Sequence, residues 1–171
     1  MLFRSHMISN YLGLLPKLVH FEHIEKLTCM VAHGAVDRQK KAELDSLGYN
    51  LFGNRYHSWE TILPIEEFNQ RLMEYDIYIS SGLLQGGLGT IYTMIFYGKK
   101  LYIAGRNLDW LKSHGIAVYD ADSILRGSAD GFCEPISQTE SANNMRQLTE
   151  SFGVPSQSLR WDKFFARLLK L

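Results

Sequence analysis

Small polar residues and glycines crowd into one stretch of this chain, Ser80-Ser81-Gly82-Leu83-Leu84-Gln85-Gly86-Gly87-Leu88-Gly89-Thr90. Glycines at 82, 86, 87 and 89 allow positive φ and close approach of the backbone to another group. A short apolar run, Ile77-Tyr78-Ile79, precedes the stretch and reads as a buried strand. An apolar helix follows it and stops at Gly98. Strand, glycine-rich loop and helix in that order aim backbone N–H groups and the positive end of a helix dipole at one point. That arrangement suits an anion, most often a phosphate. Gly86-Gly87-Leu88-Gly89 does not have the spacing of the dinucleotide fingerprint, and Gly98-Lys99 lacks the flanking residues of a P-loop. A purely structural turn is the competing reading of the same glycines.

The elements that must position this loop alternate between helical and extended patterns, which predicts an α/β domain with a Rossmann-like, open, mainly parallel sheet and flanking helices. Residues 10–23 carry Leu12, Leu15 and Val19 at helical spacing, with Pro16 expected in the first turn or as a break. Residues 27–31 read as the first strand, closed by His33-Gly34. A polar helix is expected over 37–47, with Asp37 as its N-cap and Gly48 just past its end. Residues 49–52 read as the second strand, closed by Gly53-Asn54. Pro64 opens a helix with Ile65, Phe68 and Leu72 on one face. Beyond the glycine loop come a strand at 100–104, a short helix at 108–114 and a last strand at 116–119. Two closing helices follow, at 139–152 and 156–169. His33-Gly34, Gly53-Asn54, Ser80-Ser81 and Gly105-Arg106 would then all lie at strand carboxyl ends, the edge where open α/β sheets bind ligands. This convergence favours a ligand role for the glycine loop.

The 171 residues are enough for one domain, 1–171, with a proper core. Eighteen basic residues balance 18 acidic ones, so no global field draws the chain to nucleic acid. No apolar run approaches the roughly 20 residues that span a bilayer, and MLFRSHMISN has no long apolar leader segment. A cytoplasmic location is the resulting expectation. Ser5-His6-Met7 is compatible with a cloning remnant, the native chain then starting near Met7. Cys29 and Cys133 lack metal-ligand spacing, and Cys29 reads as an inert core thiol. No cofactor is expected.

Residues 63–110 resemble the C-terminal domain of the TDP-4-acetamido-4,6-dideoxygalactose:lipid II transferases, the Fuc4NAc transferases (4-alpha-L-fucosyltransferase-like). The likeness is carried by Glu66-Glu67-Phe68, by Asp76-Ile77, and above all by Gln85-Gly86-Gly87-Leu88-Gly89-Thr90 against a glutamine pair leading into Gly-x-Gly-Thr. Gly98-Lys99-Lys100-Leu101 and residues 107–110 continue it, with looser similarity over 27–52 and 152–161. Where the family carries an Arg and a second Gln, this chain has Leu84 and Gly86, so a bidentate cation suited to phosphate is missing.

The resemblance implies one half of a GT-B glycosyltransferase, the half that binds a nucleotide-sugar. The partners it implies are a TDP-sugar donor and a lipid-linked glycan acceptor held by the other half, at the inner face of the plasma membrane. It also implies a chain that begins inside the first helix of that half, without the preceding strand and without the acceptor domain. Either a piece of a larger enzyme or a truncated reading frame would look so.

Under that reading Gln85, Gly86, Gly87, Leu88, Gly89 and Thr90 face the diphosphate. Thr90 adds a hydroxyl at the helix start; its alternative is an ordinary N-cap. His33, Gly34, Ser81 and Arg106 are possible donor contacts, and Lys100 is a second cation assigned to the same edge. Trp110, Trp161, Phe164 and Phe165 read as packing residues. The catalytic residue is unknown, because no general base or paired carboxylates stand out and the acceptor half commonly supplies the base. Asp120-Ala121-Asp122 has the spacing of a metal motif but reads as a surface loop, so no metal is expected. The leaving diphosphate would be stabilised by the helix end and backbone N–H groups. The rival reading is a non-catalytic Rossmann-like interaction module with no working site.

Overall fold

The computed structural model describes residues 1–4, 8–31, 37–83 and 86–168. Six strands form one sheet: β1 (Leu2–Arg4), β2 (Leu27–Met30), β3 (Tyr56–Trp59), β4 (Ile77–Ser80), β5 (Lys100–Ile103) and β6 (Tyr119–Asp120). Eight helices surround it: α1 (Ile8–Leu18), α2 (Arg38–Phe52), α3 (Ile65–Met73), α4 (Leu88–Phe96), α5 (Gly105–Ser113), α6 (Asp122–Leu125), α7 (Gln138–Phe152) and α8 (Val154–Leu168). The strand order is β3-β2-β1-β4-β5-β6 and every pairing is parallel. This is the doubly wound order, in which the winding reverses between β1 and β4. The expected α/β class and the parallel sheet are therefore present.

Side chains alternate across the sheet because successive Cβ atoms point to opposite faces. Leu27, Cys29, Ile77, Ile79 and Tyr102 face a core shared with α1, α2 and Phe132. Leu2, Met30, Tyr78, Leu101 and Ile103 face a second core built with α3, α4 and Leu111 of α5. Both faces are buried, which is why β4 and β5 read as nearly continuous apolar runs rather than as alternating strands.

Several expectations need correction. The chain does not begin inside a helix: Leu2 pairs with Thr28 on one side and Tyr78 on the other, so β1 lies in the middle of the sheet. A three-residue strand carries too little periodicity to announce itself, yet Leu2 is fully buried. Six strands rather than about five result. Pro16 sits in the last turn of α1 and does not end it.

Residues 49–52 are not a strand but the last turn of α2, and the second strand expected there is instead β3. The apolar run Tyr-Asn-Leu-Phe looks extended in isolation, but Leu44, Gly48 and Phe52 recur at four-residue spacing and form the buried stripe of one helix. Asp37 does cap that helix, its carboxylate accepting from Gln39 N at 3.0 Å and Lys40 N at 3.2 Å. Gly53, with φ 56°, ends it. Gly53-Asn54 consequently precedes β3 and lies at the opposite edge from the one assigned to it. The last strand is shorter and later than residues 116–119, at Tyr119–Asp120. The closing helices fall near their expected places, α7 with a capping box in which Ser137 and Glu140 bond reciprocally.

Lys100 is the other misplaced residue. As the first residue of β5 it lies at the amino edge of the sheet, only 4% exposed. Its ammonium donates to the carbonyls of Gly131 and Glu134 and sits 4.7 Å from the Tyr119 ring centroid. Burial lowers its pKa. It supports the 131–134 turn and takes no part in the ligand edge.

Gly48 is interior to α2, and a Cβ there would lie 2.4 Å from ring atoms of Tyr56. An alanine inside a helix ordinarily gains about 0.5–1 kcal/mol over glycine. Here overpacking, about 1–3 kcal/mol, wins. Gly48→Ala is therefore expected to lower the urea midpoint, and a raised midpoint would show that the Tyr56 contact is easily relieved.

Cys29 is fully buried and burial pushes its thiol pKa up, whereas Cys133 is exposed. An aromatic disulfide reagent is expected to modify Cys133 promptly and Cys29 only after denaturation. Two equally fast thiols in the native protein would contradict this packing.

Candidate functional site at the carboxyl edge of the sheet

Of the helices that follow the strands, α1, α4 and α5 brace one stretch of the carboxyl edge. β4 ends at Ser80, and the Ser81 carbonyl accepts from Asn10 Nδ2 of α1 at 3.3 Å. The chain then turns and enters α4 through Gly87, which adopts the left-handed conformation at φ 68°, ψ 19°. That conformation costs a non-glycine residue about 1 kcal/mol or more, so the glycine is required by geometry. Gly87 is the N-cap and offers no side chain to the first turn. Its carbonyl accepts from Ile91 N at 3.0 Å, while the N–H groups of Leu88 and Gly89 lie in the turn that an α-helix leaves without internal partners. A Cβ added at Gly89 would meet nothing within 4 Å. Thr93 Oγ1 donates back to the Gly89 carbonyl at 2.9 Å.

The first turn of α5 braces the same loop. Gly105 has φ 62°, and a Cβ there would lie 2.5 Å from the Leu83 carbonyl oxygen. Arg106 N donates to Leu83 O at 3.2 Å. Asn107, 1% exposed, donates from Nδ2 to Gly86 O at 2.8 Å, and its Oδ1 has no partner among the described residues. Loop and helix are thus held together by backbone proximity that only glycine permits and by one buried amide.

A cleft of about 500 Å³ opens beside the α4 terminus. Gly87, Leu88, Gly89, Thr90 and Thr93 form one wall. Met30 at the end of β2, Trp59 at the end of β3, Thr61, Ile62 and Leu63 of the connection to α3, and Ile65, Phe68 and Asn69 of α3 form the rest. None of these lining side chains is charged. The cleft therefore combines an apolar body with uncommitted backbone donors at one end, the usual make-up of a small-molecule site.

Of the residues singled out from sequence, Gly87, Leu88, Gly89 and Thr90 come together on the cleft wall, and Gly86 adjoins them through its bond to Asn107. Thr90 is inside α4 and 4% exposed, so Gly87 rather than Thr90 occupies the capping position. Ser81 sits at the end of β4, half-buried, away from the cleft lining. Arg106 is exposed in the first turn of α5 and does not line the cleft. Gln85, His33 and Gly34 lie outside the described residues. Trp110 packs against Phe152 with ring centroids 4.8 Å apart, as a packing residue should. The side chains of Trp161, Phe164 and Phe165 lie outside the described ones.

Asp120 follows the β6 register and is ion-paired with Arg126 at 2.9 Å. Burial works to raise its pKa, but hydrogen bonds from Arg126 and Asp122 N outweigh it and the net shift is downward. Among the described residues no group of three His, Cys, Asp or Glu side chains is arranged to hold a metal ion.

Sequence reasoning passed over Trp59 and the 61–63 connection, because the run 49–52 had taken the role of their strand. It also passed over Asn107 as a support. Its signal was present: a glycine directly after an apolar strand, followed within one turn by an amide side chain.

Fold and edge together define a doubly wound, all-parallel α/β domain of Rossmann-like type with a ligand-sized cleft at a helix N-terminus. The chain is similar in structure to the N-terminal domain of trehalose-6-phosphate phosphatase from Candida albicans, with a TM-score of 0.64 and 14% sequence identity. The match covers 99% of this chain and 41% of that one, so the chain spans about two fifths of the neighbour's length. At that identity the likeness shows the fold alone. No protein-family model and no curated protein matches the sequence. Among the described residues no helix is long and apolar enough to cross a membrane.

Asn107→Ala is expected to cost about 1 kcal/mol, the worth of one net hydrogen bond, and to raise hydrogen exchange at residues 86–88. Unchanged exchange there would remove Asn107 from the loop's support.

Proposed function

We propose that this chain is the donor-binding half of a GT-B glycosyltransferase, taking a deoxythymidine diphosphate sugar in the cleft beside α4. The observation that carries the reading is the α4 terminus itself. A left-handed Gly87 and an unobstructed Gly89 open free backbone donors onto a cleft of about 500 Å³, next to the point where strand order reverses. Diphosphates are bound by such termini because N–H groups and dipole act on the same oxygens. The likeness of residues 63–110 to the Fuc4NAc transferases supplies the sugar class. In the intact enzyme a second half would hold a polyprenyl-linked acceptor at the cytoplasmic face of the membrane and provide the general base.

One feature of the cleft favours the rival, a non-catalytic Rossmann-like module. Among the described residues no charged side chain lines it, and Leu84 stands where the family has an Arg. A diphosphate there would be balanced by backbone donors alone, so donor affinity is expected to be modest.

Calorimetric titration with deoxythymidine diphosphate, and with uridine and guanosine diphosphates as controls, separates the two readings. Saturable binding that prefers thymidine supports the donor domain. No heat with any of the three, from a chain shown to be folded, supports the rival. Gly89→Leu is the informative variant, since the space around Gly89 is open and its substitution leaves the fold unstrained. It is expected to weaken binding at least about tenfold, the equivalent of about 1.4 kcal/mol, with an unchanged thermal midpoint.

A further inference from the structure

Trp59 carries a buried hydrogen-bond donor that nothing in its surroundings uses. The residue is 7% exposed, and its indole Nε1–H is buried with no acceptor among the described residues. A buried donor left unpaired is costly, and such groups in a folded protein call for an explanation. The ring is not free to turn away from the cost. Phe68 packs on it with centroids 5.5 Å apart, and the Arg71 guanidinium lies 5.4 Å from its centroid, held in turn by Glu67 at 2.8 Å. Trp59 also lines two cavities, the α4 cleft and a more polar groove of about 800 Å³ bordered by Thr28, His57, Glu60 and Arg71.

We infer that Trp59 is the second polar anchor of the α4 cleft, donating its indole N–H to an acceptor on the uncharged part of the bound ligand. This rests on the donor-domain reading and specifies it. The ligand has two ends with different demands. Its anionic end meets the N–H groups of Leu88 and Gly89 in the first turn of α4. Its neutral end lies against the apolar wall of Ile62, Leu63 and Phe68 and presents a carbonyl, ring nitrogen or hydroxyl oxygen to Nε1. A nucleoside phosphate has this make-up; inorganic phosphate and pyrophosphate do not. Because Nε1 is enclosed in the unliganded protein, the Thr61–Leu63 connection beside it must yield as the acceptor enters. Ile62, 73% exposed at the middle of that connection, offers little packing resistance.

The experiment is amide and indole correlation NMR on the ¹⁵N-labelled chain, with the Trp59 indole signal assigned from Trp59→Phe. Deoxythymidine diphosphate, pyrophosphate and thymidine are titrated separately. The expected result with the diphosphate is movement of the Trp59 indole signal together with the amides of 87–90 and 61–63. Pyrophosphate is expected to move the 87–90 amides and leave the indole in place. Trp59→Phe should weaken the diphosphate about tenfold, one hydrogen bond's worth in an enclosed site, and leave pyrophosphate affinity unchanged.

If the diphosphate moves the 87–90 amides while the indole signal stays still, the Trp59 assignment is overturned and the donor-domain reading survives. If no probe moves either set, both fall. Should Trp59→Phe prove poorly folded, the indole shift in the unaltered protein decides alone, its signal assigned by elimination from Trp110→Phe and Trp161→Phe.

Discussion

The parallel pairing of Leu2–Arg4 between β2 and β4 is the constraint on which the rest of this structure depends. Without that strand the sheet would divide into β3-β2 and β4-β5-β6, with no continuous ladder between them. With it, connections wind outward in opposite directions from the β1–β4 boundary, and the chain after β4 enters α4 beside α3, the crossover from β3. The cleft lies between that crossover and the first turn of α4, at the carboxyl edge where open α/β sheets generally bind ligands. The strand is short, but both of its neighbours supply full registers and Leu2 is completely buried, so hydrogen bonding and apolar burial act together.

Given that frame, the character of the edge follows from three glycines with different duties. Gly87 turns the chain through a left-handed residue into α4, and Gly105 lets the Leu83 backbone approach α5 closer than any side chain would permit. Gly89 does neither: its conformation is ordinary and its surroundings empty. Two glycines therefore serve the fold, while the third leaves open space in front of free backbone donors. That difference in physical duty separates a tight turn from a binding surface more clearly than the abundance of glycine does.

The described part of the cleft is lined by uncharged side chains. Lys100, assigned to this edge by its place in the sequence, is buried at the opposite one under Gly131 and Glu134 carbonyls. Arg106 points to solvent rather than to the cleft. The donors present are backbone amides and the Trp59 indole, which are fixed dipoles rather than mobile charges. A ligand held by the described groups alone would be selected by shape and hydrogen-bond placement, since none of the described lining side chains is a cation.

Much of the fold was legible from the chain alone. Ile77-Tyr78-Ile79, the glycine loop, the apolar helix up to Gly98 and the Asp37 cap each carry a local signal, because turn chemistry, capping and long apolar runs are decided within a few residues. The second strand was not legible: Tyr49-Asn-Leu-Phe52 has strand-like composition, and only the packing of Leu44, Gly48 and Phe52 against β3 makes it helical. Trp59 and Asn107 were silent for the same reason, since a buried donor or acceptor acquires meaning only from what surrounds it.

The sequence by itself determined the α/β class, the strand–loop–helix unit and the glycines that make the loop possible. Only the tertiary structure decided that Leu2–Arg4 is central, which edge Lys100 and Arg106 occupy, and that Trp59 and Gly89 line one cleft. Those are matters of contact between residues far apart in the chain, and local propensity holds no information about them.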